Sequence, residues 1–437
     1  MKSFLVKAPK KFSGTAEIPG DKSVSHRAVM ISSISEGEVK ISNFLRSEDC
    51  MRTVKCFADM GLDIEETSNG LMVRGRGLFG LRSPSDILYA GNSGTTIRLI
   101  LGILAGQPFE AIITGDESIK RRPMRRVAEP LKLMGAKIEG SHGGEFAPLT
   151  IRGGELKPID YEPPVPSAQV KSAILLAALF AEGTTHVTEK VPTRDHTERM
   201  LEHFGAKIGT SGGRISVTGR GKLKASSVYV PSDTSSAAYV IAAALLLPGS
   251  DVLLKDIGVN PGRTGILDVL HRMGAQLEVS NERMISGEPI ADIRVRHSKL
   301  KGVEIGGSII PRVIDELPVI ALIATQAEGD TKISDAAELR VKESDRIAAA
   351  ASEFAKLGAH ITEMPDGMII KGGTPLKGGA CESRGDHRIA MSCAVGGLIS
   401  SSETAIQDVD CVETSFPGFS GLMNEISGSR AVVLKEE

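Results

Sequence analysis

The sequence predicts an α/β protein of two similar domains, each made of three copies of a small repeat unit. The chain has 437 residues, and at roughly 100–200 residues per domain we expect two or three domains. Two short glycine-containing patterns recur and alternate along the chain. Segments with helical apolar periodicity precede the copies, and segments of alternating polarity follow them.

The first pattern is a glycine between a helix-like and a strand-like segment, in DMGLDIE, LMGAKIE, HFGAKIG, RMGAQLE and KLGAHIT. Glycine adopts the left-handed conformation that ends many helices at little steric cost. We therefore expect left-handed helix ends at Gly61, Gly135, Gly205, Gly274 and Gly358.

The second pattern interleaves with the first, in ISEGEVKIS, LAGQPFEAIIT, AEGTTHVTE, LPGSDVLLKD, AEGDTKISD and, with serine for glycine, ISSSETAIQD. Successive copies of either pattern lie roughly 66 to 84 residues apart, which is the length of a small α/β unit and too long for a solenoid repeat. Six units would give two domains of three. The alternative is chance agreement in a glycine-rich chain.

Composition excludes several classes of function. The 52 Lys and Arg balance 54 Asp and Glu, and aromatic residues make up only 4%, so we expect no nucleic-acid partner. The five cysteines form no CxxC pair, which favours reduced thiols and neither a disulfide framework nor a metal site. The start of the chain lacks a signal-peptide pattern, and apolar runs such as AAYVIAAALLL are shorter than a membrane span. We expect a cytoplasmic protein without a membrane partner.

Two segments in the first hundred residues concentrate polar groups. PGDKSVSHR (19–27) places Lys22, Ser23 and Arg27 behind a Pro-Gly turn. AGNSGTTIRL (90–99) contains Asn92, Gly94 and Arg98, and small residues at a helix N-terminus suit an anion. The segment is not a P-loop. The alternative is an ordinary helix start capped by Thr95 or Thr96.

The segment TGDESIKRRPMRRV (114–127) has five cations in seven residues. Such a run usually forms a solvated face. Pro123, however, favours an extended residue before it and a helix after it. We therefore expect Arg122 to point inward.

Two later segments also combine charge with helix starts. On a helix over 337–359, Lys342 and Arg346 would share one face and could clamp an anion, with Glu343 beside them; the alternative is a ladder of surface ion pairs. In SRGDHRIAM, Asp386 can cap a helix that has Arg388 in its first turn, a position easiest to explain by a bound anion.

Two weaker signals complete the set. Ser167 and Gln169 begin one apolar helix, and Asp315 and Glu316 precede another. All could be simple helix caps. A carboxylate near several cations would also be a plausible base.

The segments PGDKSxSHR, GNSGTxxR, KRRPM, SAQVKSA, TRDHTE, DELP, ELRVKESDR and DHRIAM stand in the order typical of one family. The chain resembles the 5-enolpyruvylshikimate-3-phosphate synthases, also called 3-phosphoshikimate 1-carboxyvinyltransferases, from about residue 8 to 425. The resemblance implies two domains, each of three βαβαββ units around buried helices. It divides the chain into 21–232 and 1–20 plus 233–437, with the active site in the cleft between them.

The resemblance further implies transfer of the enolpyruvyl group of phosphoenolpyruvate to shikimate 3-phosphate, without metal or organic cofactor. The residues implied to contact shikimate 3-phosphate are Lys22, Ser23, Arg27, Ser167, Ala168, Gln169, Arg194, Asp315 and Lys342. Those implied to contact phosphoenolpyruvate are Lys22, Gly94, Arg122, Gln169, Arg346 and Arg388. Asn92 and Arg98 are further candidates, and the expected catalytic groups are Asp315, Glu343 and Lys22.

Two positions depart from the family pattern. Ala168 stands where some relatives have serine, so only a backbone contact is expected there. Thr414 stands where some relatives have a lysine that binds phosphoenolpyruvate.

Two rival interpretations remain. The sister enzyme acting on UDP-N-acetylglucosamine typically has Lys-Asn at 22–23 and a cysteine in the 114–126 loop, both absent here. A non-catalytic protein that binds a phosphorylated metabolite would not need Asp315 and Glu343. We expect a monomer whose domains close on shikimate 3-phosphate, because its cations repel one another when no anion is bound.

Overall fold

The computed structural model describes residues 2–436, which form two compact units. The first, the 20–231 unit, also includes residues 284–288. The second, the 232–436 unit, comprises residues 2–19, 232–283 and 289–436. Residues 284–288, expected in the second domain, form a hairpin turn that groups with residues 20–231.

The strands, in chain order, are β1 (Lys2–Val6), β2 (Ser13–Ala16), β3 (Glu36–Ser42), β4 (Asp63–Thr67), β5 (Gly70–Arg76), β6 (Leu88–Tyr89), β7 (Glu110–Thr114), β8 (Lys137–Gly140), β9 (Phe146–Arg152), β10 (Asp160–Tyr161), β11 (Thr184–Thr188), β12 (Lys207–Ser211), β13 (Arg214–Thr218), β14 (Val228–Tyr229), β15 (Asp251–Gly258), β16 (Gln276–Ile285), β17 (Glu288–Arg296), β18 (Glu304–Ile305), β19 (Thr331–Ile333), β20 (Ile361–Met364), β21 (Gly367–Ile370), β22 (Ala380–Glu382), β23 (Thr404–Gln407) and β24 (Val432–Glu436).

The α-helices are α1 (Lys22–Ser33), α2 (Glu48–Asp59), α3 (Gly94–Leu104), α4 (Glu117–Arg121), α5 (Arg125–Met134), α6 (Ser141–Gly144), α7 (Ala168–Ala178), α8 (His196–His203), α9 (Thr234–Leu246), α10 (Gly265–Arg272), α11 (Ile310–Val313), α12 (Leu317–Ala324), α13 (Arg346–Lys356), α14 (His387–Leu398) and α15 (Phe419–Ser427). Short 3-10 helices span Gly307–Ile309, Ala337–Val341 and Val409–Thr414.

The strands form six four-stranded sheets, three in each unit. In the 20–231 unit the strand orders are β14-β3-β5-β4, β6-β7-β9-β8 and β10-β11-β13-β12. In the 232–436 unit they are β16-β17-β15-β2, β18-β19-β21-β20 and β22-β23-β1-β24. In each sheet one edge strand is parallel to its neighbour, as β6 is to β7. That neighbour is antiparallel to the next strand, as β7 is to β9. The six-fold repeat predicted from the glycine patterns is confirmed.

Each unit surrounds three nearly fully buried helices. These are α1, α3 and α7 in the 20–231 unit and α9, α12 and α14 in the 232–436 unit. Beyond the polar residues of their N-terminal turns, such as Arg27 and Lys171, their sequences are apolar or small around the whole circumference, whereas outer helices such as α2 bury only one face. The buried helices can approach closely: a Cβ on Gly102 of α3 would lie 2.3 Å from the carbonyl oxygen of Ala173 in α7.

The five glycines of the first pattern follow helix ends as expected. Their φ angles lie between +80° and +116°, in the left-handed region. Each allows the chain to leave an outer helix and enter the next strand, so this prediction is confirmed.

Candidate active site

Most of the residues predicted to bind substrates lie near the N-termini of helices. In the 20–231 unit they lie near the starts of α1, α3 and α7, and in the 232–436 unit near the starts of α12, α13 and α14. Helix N-termini present unpaired backbone N–H groups and a partial positive charge. Both groups of residues are therefore suited to anions before any side chain is considered.

Helix α1 begins the site in the 20–231 unit. Asp21 caps it by accepting a hydrogen bond from the backbone N–H of Val24 at 2.8 Å. The Nζ atom of Lys22 lies 2.5 Å from Oδ2 of Asp49, at the start of α2. The Lys22 side chain keeps 20% of its surface exposed, so the ammonium group is anchored and accessible.

Arg27, one turn further along α1, is only 3% exposed. Its guanidinium donates to the hydroxyls of Thr197 at 2.7 Å and Ser172 at 2.8 Å, and to the carbonyl of Ser23 at 2.9 Å. Burial lowers the pKa of Arg27 to about 10, although the charge of Glu198 acts in the opposite direction. This buried cation is held by neutral oxygen acceptors and links α1, α7 and α8.

The glycine run before α3 lies against Arg98 and Arg122, and we call this group the basic corner. Ser93 caps α3 by accepting from the N–H of Thr96 at 3.1 Å, so the expectation that Thr95 or Thr96 is the cap is wrong. A Cβ on Gly94 would lie 3.1 Å from Nη1 of Arg98 and 3.2 Å from Nη1 of Arg122. Glycine at position 94 thus allows two guanidinium groups to approach the helix N-terminus.

Arg122 lies between α4 and α5, extended (φ −85°, ψ 135°) and 7% exposed. It donates to Oδ1 of Asn92 at 2.8 Å and to Oγ of Ser118 at 3.2 Å. The inward orientation predicted from Pro123 is confirmed. Neighbouring Arg125 pairs with Glu129 on the exposed surface, as expected of a solvated face.

Arg98 joins α3 to α7. It donates to Oε1 of Gln169 at 2.7 Å and to the carbonyl of Pro123 at 3.3 Å, and Gln169 donates in turn to Oγ1 of Thr95. Ser167 caps α7 through the N–H of Val170 at 3.4 Å, and Ala168 is the first helical residue. The cap interpretation of Ser167 is therefore correct, and Gln169 has a distinct role as a partner of Arg98.

Arg194 lies just before α8, in a segment fixed by buried ion pairs. Lys171, which is 1% exposed, contacts Glu189 at 2.8 Å and Glu198 at 2.7 Å. His196 contacts Glu288 at 2.8 Å, and both are 3% exposed. The positive charge of Arg194 also lowers the pKa of Arg27, although by less than burial does. The two cations are therefore close enough to interact electrostatically.

Arg346 lies at the centre of the candidate residues in the 232–436 unit. It is 1% exposed and contacts three carboxylates: Asp386 at 2.8 Å, Glu343 at 2.5 Å and Asp315 at 3.3 Å. Burial opposes its charge, but Asp386 and the other two carboxylates outweigh that effect and raise the pKa of Arg346. Arg346 is a fixed cation at the first residue of α13.

Lys342 does not share a helix with Arg346. The segment Ala337–Val341 is a 3-10 helix, Lys342 is extended, and α13 begins only at Arg346, capped by Asp345. The single-helix expectation is wrong because Asp345 bonds the N–H groups of Ile347 and Ala348 and starts a new helix. Lys342 instead approaches Asp315 at 3.9 Å, and burial lowers its pKa despite that carboxylate.

Asp386 caps α14 through the N–H of Arg388 at 2.9 Å, as predicted. The guanidinium of Arg388 donates to the backbone carbonyl of Asp315 at 2.8 Å. Burial opposes its charge, but the negative charge of Asp315 raises the pKa of Arg388. Asp315 and Glu316 do not act as side-chain caps of α12, because no side-chain cap bond forms there; both face cations.

Thr414, at the position where some relatives have lysine, donates its hydroxyl to the carbonyl of Cys411 at 2.6 Å. It closes the end of a 3-10 helix. The threonine therefore adds no cation and satisfies its own hydrogen bond locally.

Two partners of the site residues were not singled out from the sequence. Asp49 pairs with Lys22, and Thr197 holds Arg27 together with Ser172, which lies in the SAQVKSA motif. An acidic residue in a first helical turn is common for electrostatic reasons alone, so Asp49 carries no distinguishing signal. Thr197 lies in the TRDHTE segment, and that motif was the available signal for it.

Within residues 2–436, no group of three or more His, Cys, Asp or Glu side chains is placed to hold a metal ion. None of the helices in that range combines the length and apolar character needed to cross a membrane.

Comparison with known proteins identifies the relatives of this chain. A family model described as EPSP synthase (3-phosphoshikimate 1-carboxyvinyltransferase) matches residues 6–423. The chain belongs to the EPSP synthase family. The resemblance seen in the eight motifs is confirmed, and as a family member the chain is a transferase.

Individual EPSP synthase relatives match almost end to end. The 3-phosphoshikimate 1-carboxyvinyltransferase of Desulforamulus reducens is 52% identical over 97% of this chain and 99% of its own length. That of Brevibacillus brevis is 53% identical with the same coverage. Among solved structures, EPSP synthase from Acinetobacter baumannii is 46% identical, with a TM-score of 0.89 over the whole of both chains.

A more distant structure supports the fold alone. The enolpyruvyl transferase NikO from Streptomyces tendae is 16% identical and matches with a TM-score of 0.80 over 99% of this chain and 98% of its own. The predicted enolpyruvyl transferase fold is thus confirmed.

Proposed function

We propose that this chain transfers the enolpyruvyl (carboxyvinyl) group of phosphoenolpyruvate to the 5-hydroxyl of shikimate 3-phosphate. The products are 5-enolpyruvylshikimate 3-phosphate and phosphate, on the route to chorismate and the aromatic amino acids. The observation that carries the proposal is the relationship at 52% identity over 97% of the chain to proteins named for this reaction. The buried cations at the helix N-termini support it, because both substrates carry a phosphate and a carboxylate.

The proposed contacts to shikimate 3-phosphate follow the family motifs. In the 20–231 unit they are Lys22, Ser23, Arg27, Ser167, the backbone of Ala168, Gln169 and Arg194. In the 232–436 unit they are Asp315 and Lys342. The hydrogen bonds from Arg27 to neutral oxygens support its assignment, because an incoming carboxylate or phosphate would compensate a charge that burial disfavours.

The proposed contacts to phosphoenolpyruvate are Lys22, Gly94, Arg122, Gln169, Arg346 and Arg388, with Asn92 and Arg98 as supporting residues. The approach of Arg98 and Arg122 to Gly94 supports this assignment. Two guanidinium groups beside a helix N-terminus can bind a phosphate through several charge-assisted hydrogen bonds.

In the proposed chemistry, the 5-hydroxyl oxygen attacks C2 of phosphoenolpyruvate and its proton passes to Asp315. The methylene carbon C3 gains a proton from Glu343, with Lys22 nearby, which gives a tetrahedral intermediate. Glu343 then takes back a proton from C3 while the bond between C2 and the phosphate oxygen breaks, which restores the double bond. The phosphate leaves with the proton that Asp315 had accepted. The fixed cations would stabilise the intermediate, which collects both phosphates and both carboxylates.

The test is release of phosphate by the purified protein when both substrates are present. Omission of either substrate should abolish release. Replacement of shikimate 3-phosphate by UDP-N-acetylglucosamine should give none, because Ser23 and the cysteine-free 114–126 loop lack the pattern of the sister enzyme. Release with the UDP-sugar, or binding without release, would overturn the proposal.

We further propose a cytoplasmic monomer whose two units close on shikimate 3-phosphate. Without substrates, the cations of the proposed site repel one another. Bound shikimate 3-phosphate would offset that repulsion, which supports closure on this ligand. Small-angle scattering should show a more compact particle with shikimate 3-phosphate than without it. Equal compactness would contradict closure, and a particle of twice the mass would contradict the monomer.

A further inference from the structure

Three cations of the same unit surround the carboxylate of Asp315, at different distances. Its Oδ1 atom accepts a hydrogen bond from Arg346 at 3.3 Å and lies 3.9 Å from Lys342, and its Oδ2 atom lies 4.0 Å from Arg388. Carboxylates that accept short charge-assisted hydrogen bonds are weaker bases, because those bonds stabilise the ionised form. A closer approach of Arg388 to Oδ2 would therefore make Asp315 a weaker base.

Other carboxylates take the close contacts with the same cations. Glu343 and Asp386 lie 2.5 Å and 2.8 Å from the nitrogens of Arg346. They hold Arg346 in place, so that this cation cannot turn fully toward Asp315. Arg388 requires a separate restraint.

Glu316 provides a restraint on Arg388. Its Oε1 atom lies 3.7 Å from Nη1 of Arg388, the same nitrogen that donates to the backbone carbonyl of Asp315. Glu316 is only 1% exposed, and burying a carboxylate costs several kcal/mol unless it is well paired. The 3.7 Å contact and the hydrogen bond from Ser235 offset only part of that cost, because Oε2 of Glu316 has no hydrogen-bond partner among residues 2–436. A positional role explains this residue better than a stabilising one.

The oxygen of Glu316 is itself fixed by a buried chain of polar groups. Arg263 donates to Oγ of Ser235 at 2.5 Å and contacts Asp233 at 3.0 Å. A guanidinium can only donate, so the single hydroxyl proton of Ser235 points to Oε1 of Glu316. The chain Asp233–Arg263–Ser235–Glu316 thus ends on Arg388 and sets its place beside Asp315.

We propose that Glu316 is a positioning residue that holds Arg388 at the backbone carbonyl of Asp315 and away from its carboxylate. The inference rests on the proposed function, in which Asp315 is the base and Arg388 binds phosphoenolpyruvate. Without the charge of Glu316, Arg388 closes the 4.0 Å gap to Oδ2 and forms a short ion pair. Asp315 is then a weaker base, and Arg388 is partly withdrawn from its substrate.

Several ionisable groups face this pocket from the neighbouring elements: Lys342, Glu343, Arg346, Asp386, His387 and Tyr239. Burial raises the pKa of Tyr239, so it stays neutral in the working range. Burial alone would raise the pKa of Asp386, but the charge of Arg346 lowers it, so Asp386 stays ionised. The acidic limb in the pH dependence of turnover is therefore expected to report on Asp315, which must be ionised to accept the hydroxyl proton.

The experiment replaces Glu316 by glutamine, which keeps the shape and the hydrogen bond from Ser235. In phosphate-release assays we expect kcat to fall about 10-fold and KM for phosphoenolpyruvate to rise about 10-fold, each corresponding to the loss of one charge contact. The acidic limb of the kcat profile should move to lower pH, because Arg388 then stabilises ionised Asp315. The Kd of shikimate 3-phosphate, measured by calorimetry, should change less than about 3-fold.

Two further variants separate positioning from stability. Glu353→Gln removes another fully buried carboxylate of the same unit, paired with Lys356 and Arg384; it should lower thermal stability without moving the acidic limb. Ser235→Ala releases Glu316 without changing charge and should move the limb in the same direction by a smaller amount, which keeps the test open if Glu316→Gln does not fold.

An unmoved limb and an unchanged KM for phosphoenolpyruvate in both Glu316→Gln and Ser235→Ala would overturn the inference. Failure of the proposed function is distinguishable, because the unmodified protein would then release no phosphate.

Discussion

The two units each bury an arginine near the start of a helix, but they compensate its charge differently. Arg27 in the 20–231 unit donates to two hydroxyls and a backbone carbonyl, and burial lowers its pKa to about 10. Arg346 in the 232–436 unit contacts three carboxylates, which raise its pKa. Burial is nearly equal, at 3% and 1% exposure, so the partners make the difference.

Under the proposed function, this contrast predicts different roles for the two units. A cation held by neutral dipoles gains most when an anion arrives, so Arg27 is suited to capture a substrate. A cation already paired with carboxylates gains less from an anion, but it fixes those carboxylates for acid and base chemistry. In this view the 20–231 unit supplies mainly binding, and the 232–436 unit supplies mainly proton transfer.

The largest expected effect comes from Asp315→Asn, which keeps the shape and removes the proposed base. We expect kcat to fall about 10²–10⁴-fold, the usual contribution of a positioned base. Binding of shikimate 3-phosphate, measured by calorimetry, should persist because most of its proposed contacts lie in the other unit. Near-normal turnover would remove Asp315 from the base role and with it the catalytic side of the contrast.

The next effect concerns stability and tests the two arginines directly. Arg346→Gln leaves buried Asp386 without its main cation, so we expect the free energy of unfolding to fall by about 3–5 kcal/mol. The matched variant Arg27→Gln should cost much less, because Thr197 and Ser172 remain hydrogen bonded to each other at 2.7 Å. It should instead raise KM for shikimate 3-phosphate about 10-fold or more. Equal losses of stability in urea titrations would contradict the contrast.

A smaller effect is expected at the basic corner of the 20–231 unit. The methyl group of Gly94→Ala would lie 3.1–3.2 Å from the tips of Arg98 and Arg122, so both must shift by a few tenths of an ångström. We expect KM for phosphoenolpyruvate to rise several-fold, since charge-assisted hydrogen bonds depend on geometry. Gly102→Ala is not a suitable control because it would separate α3 from α7; the exposed Gly221→Ala is. An unchanged KM would show that these tips are not constrained.

Much of this arrangement could be predicted from the sequence, for identifiable reasons. Glycine caps, apolar periodicity and capping side chains are local signals. They predicted the six repeats and, through Asp386, the helix start at His387. The contact of Lys342 with Asp315 was not predicted. A helix start capped by Asp345 competes locally with a continuous helix, and the periodicity of the segment does not show which of the two forms. The role of Glu316 could not be predicted, because its partners Ser235 and Arg388 are 81 and 72 positions away and approach it only when the chain has folded.

The smallest effect concerns pH and Lys342, a cation of the 232–436 unit whose pKa is lowered by burial. Burial lowers its pKa below the ordinary value of 10.5, so the folded protein loses this charge before the unfolded chain does. Stability therefore rises with pH between the lowered value and 10.5, whereas affinity for shikimate 3-phosphate should fall over the same alkaline range as the ammonium deprotonates. In Lys342→Arg the guanidinium stays charged, so calorimetric titrations should show that the fall in affinity moves to higher pH. Parallel pH profiles for the two proteins would contradict this prediction, because they would show that the charge of Lys342 does not contribute to the affinity for shikimate 3-phosphate. The 232–436 unit would then contribute even less to binding than the contrast between the units predicts.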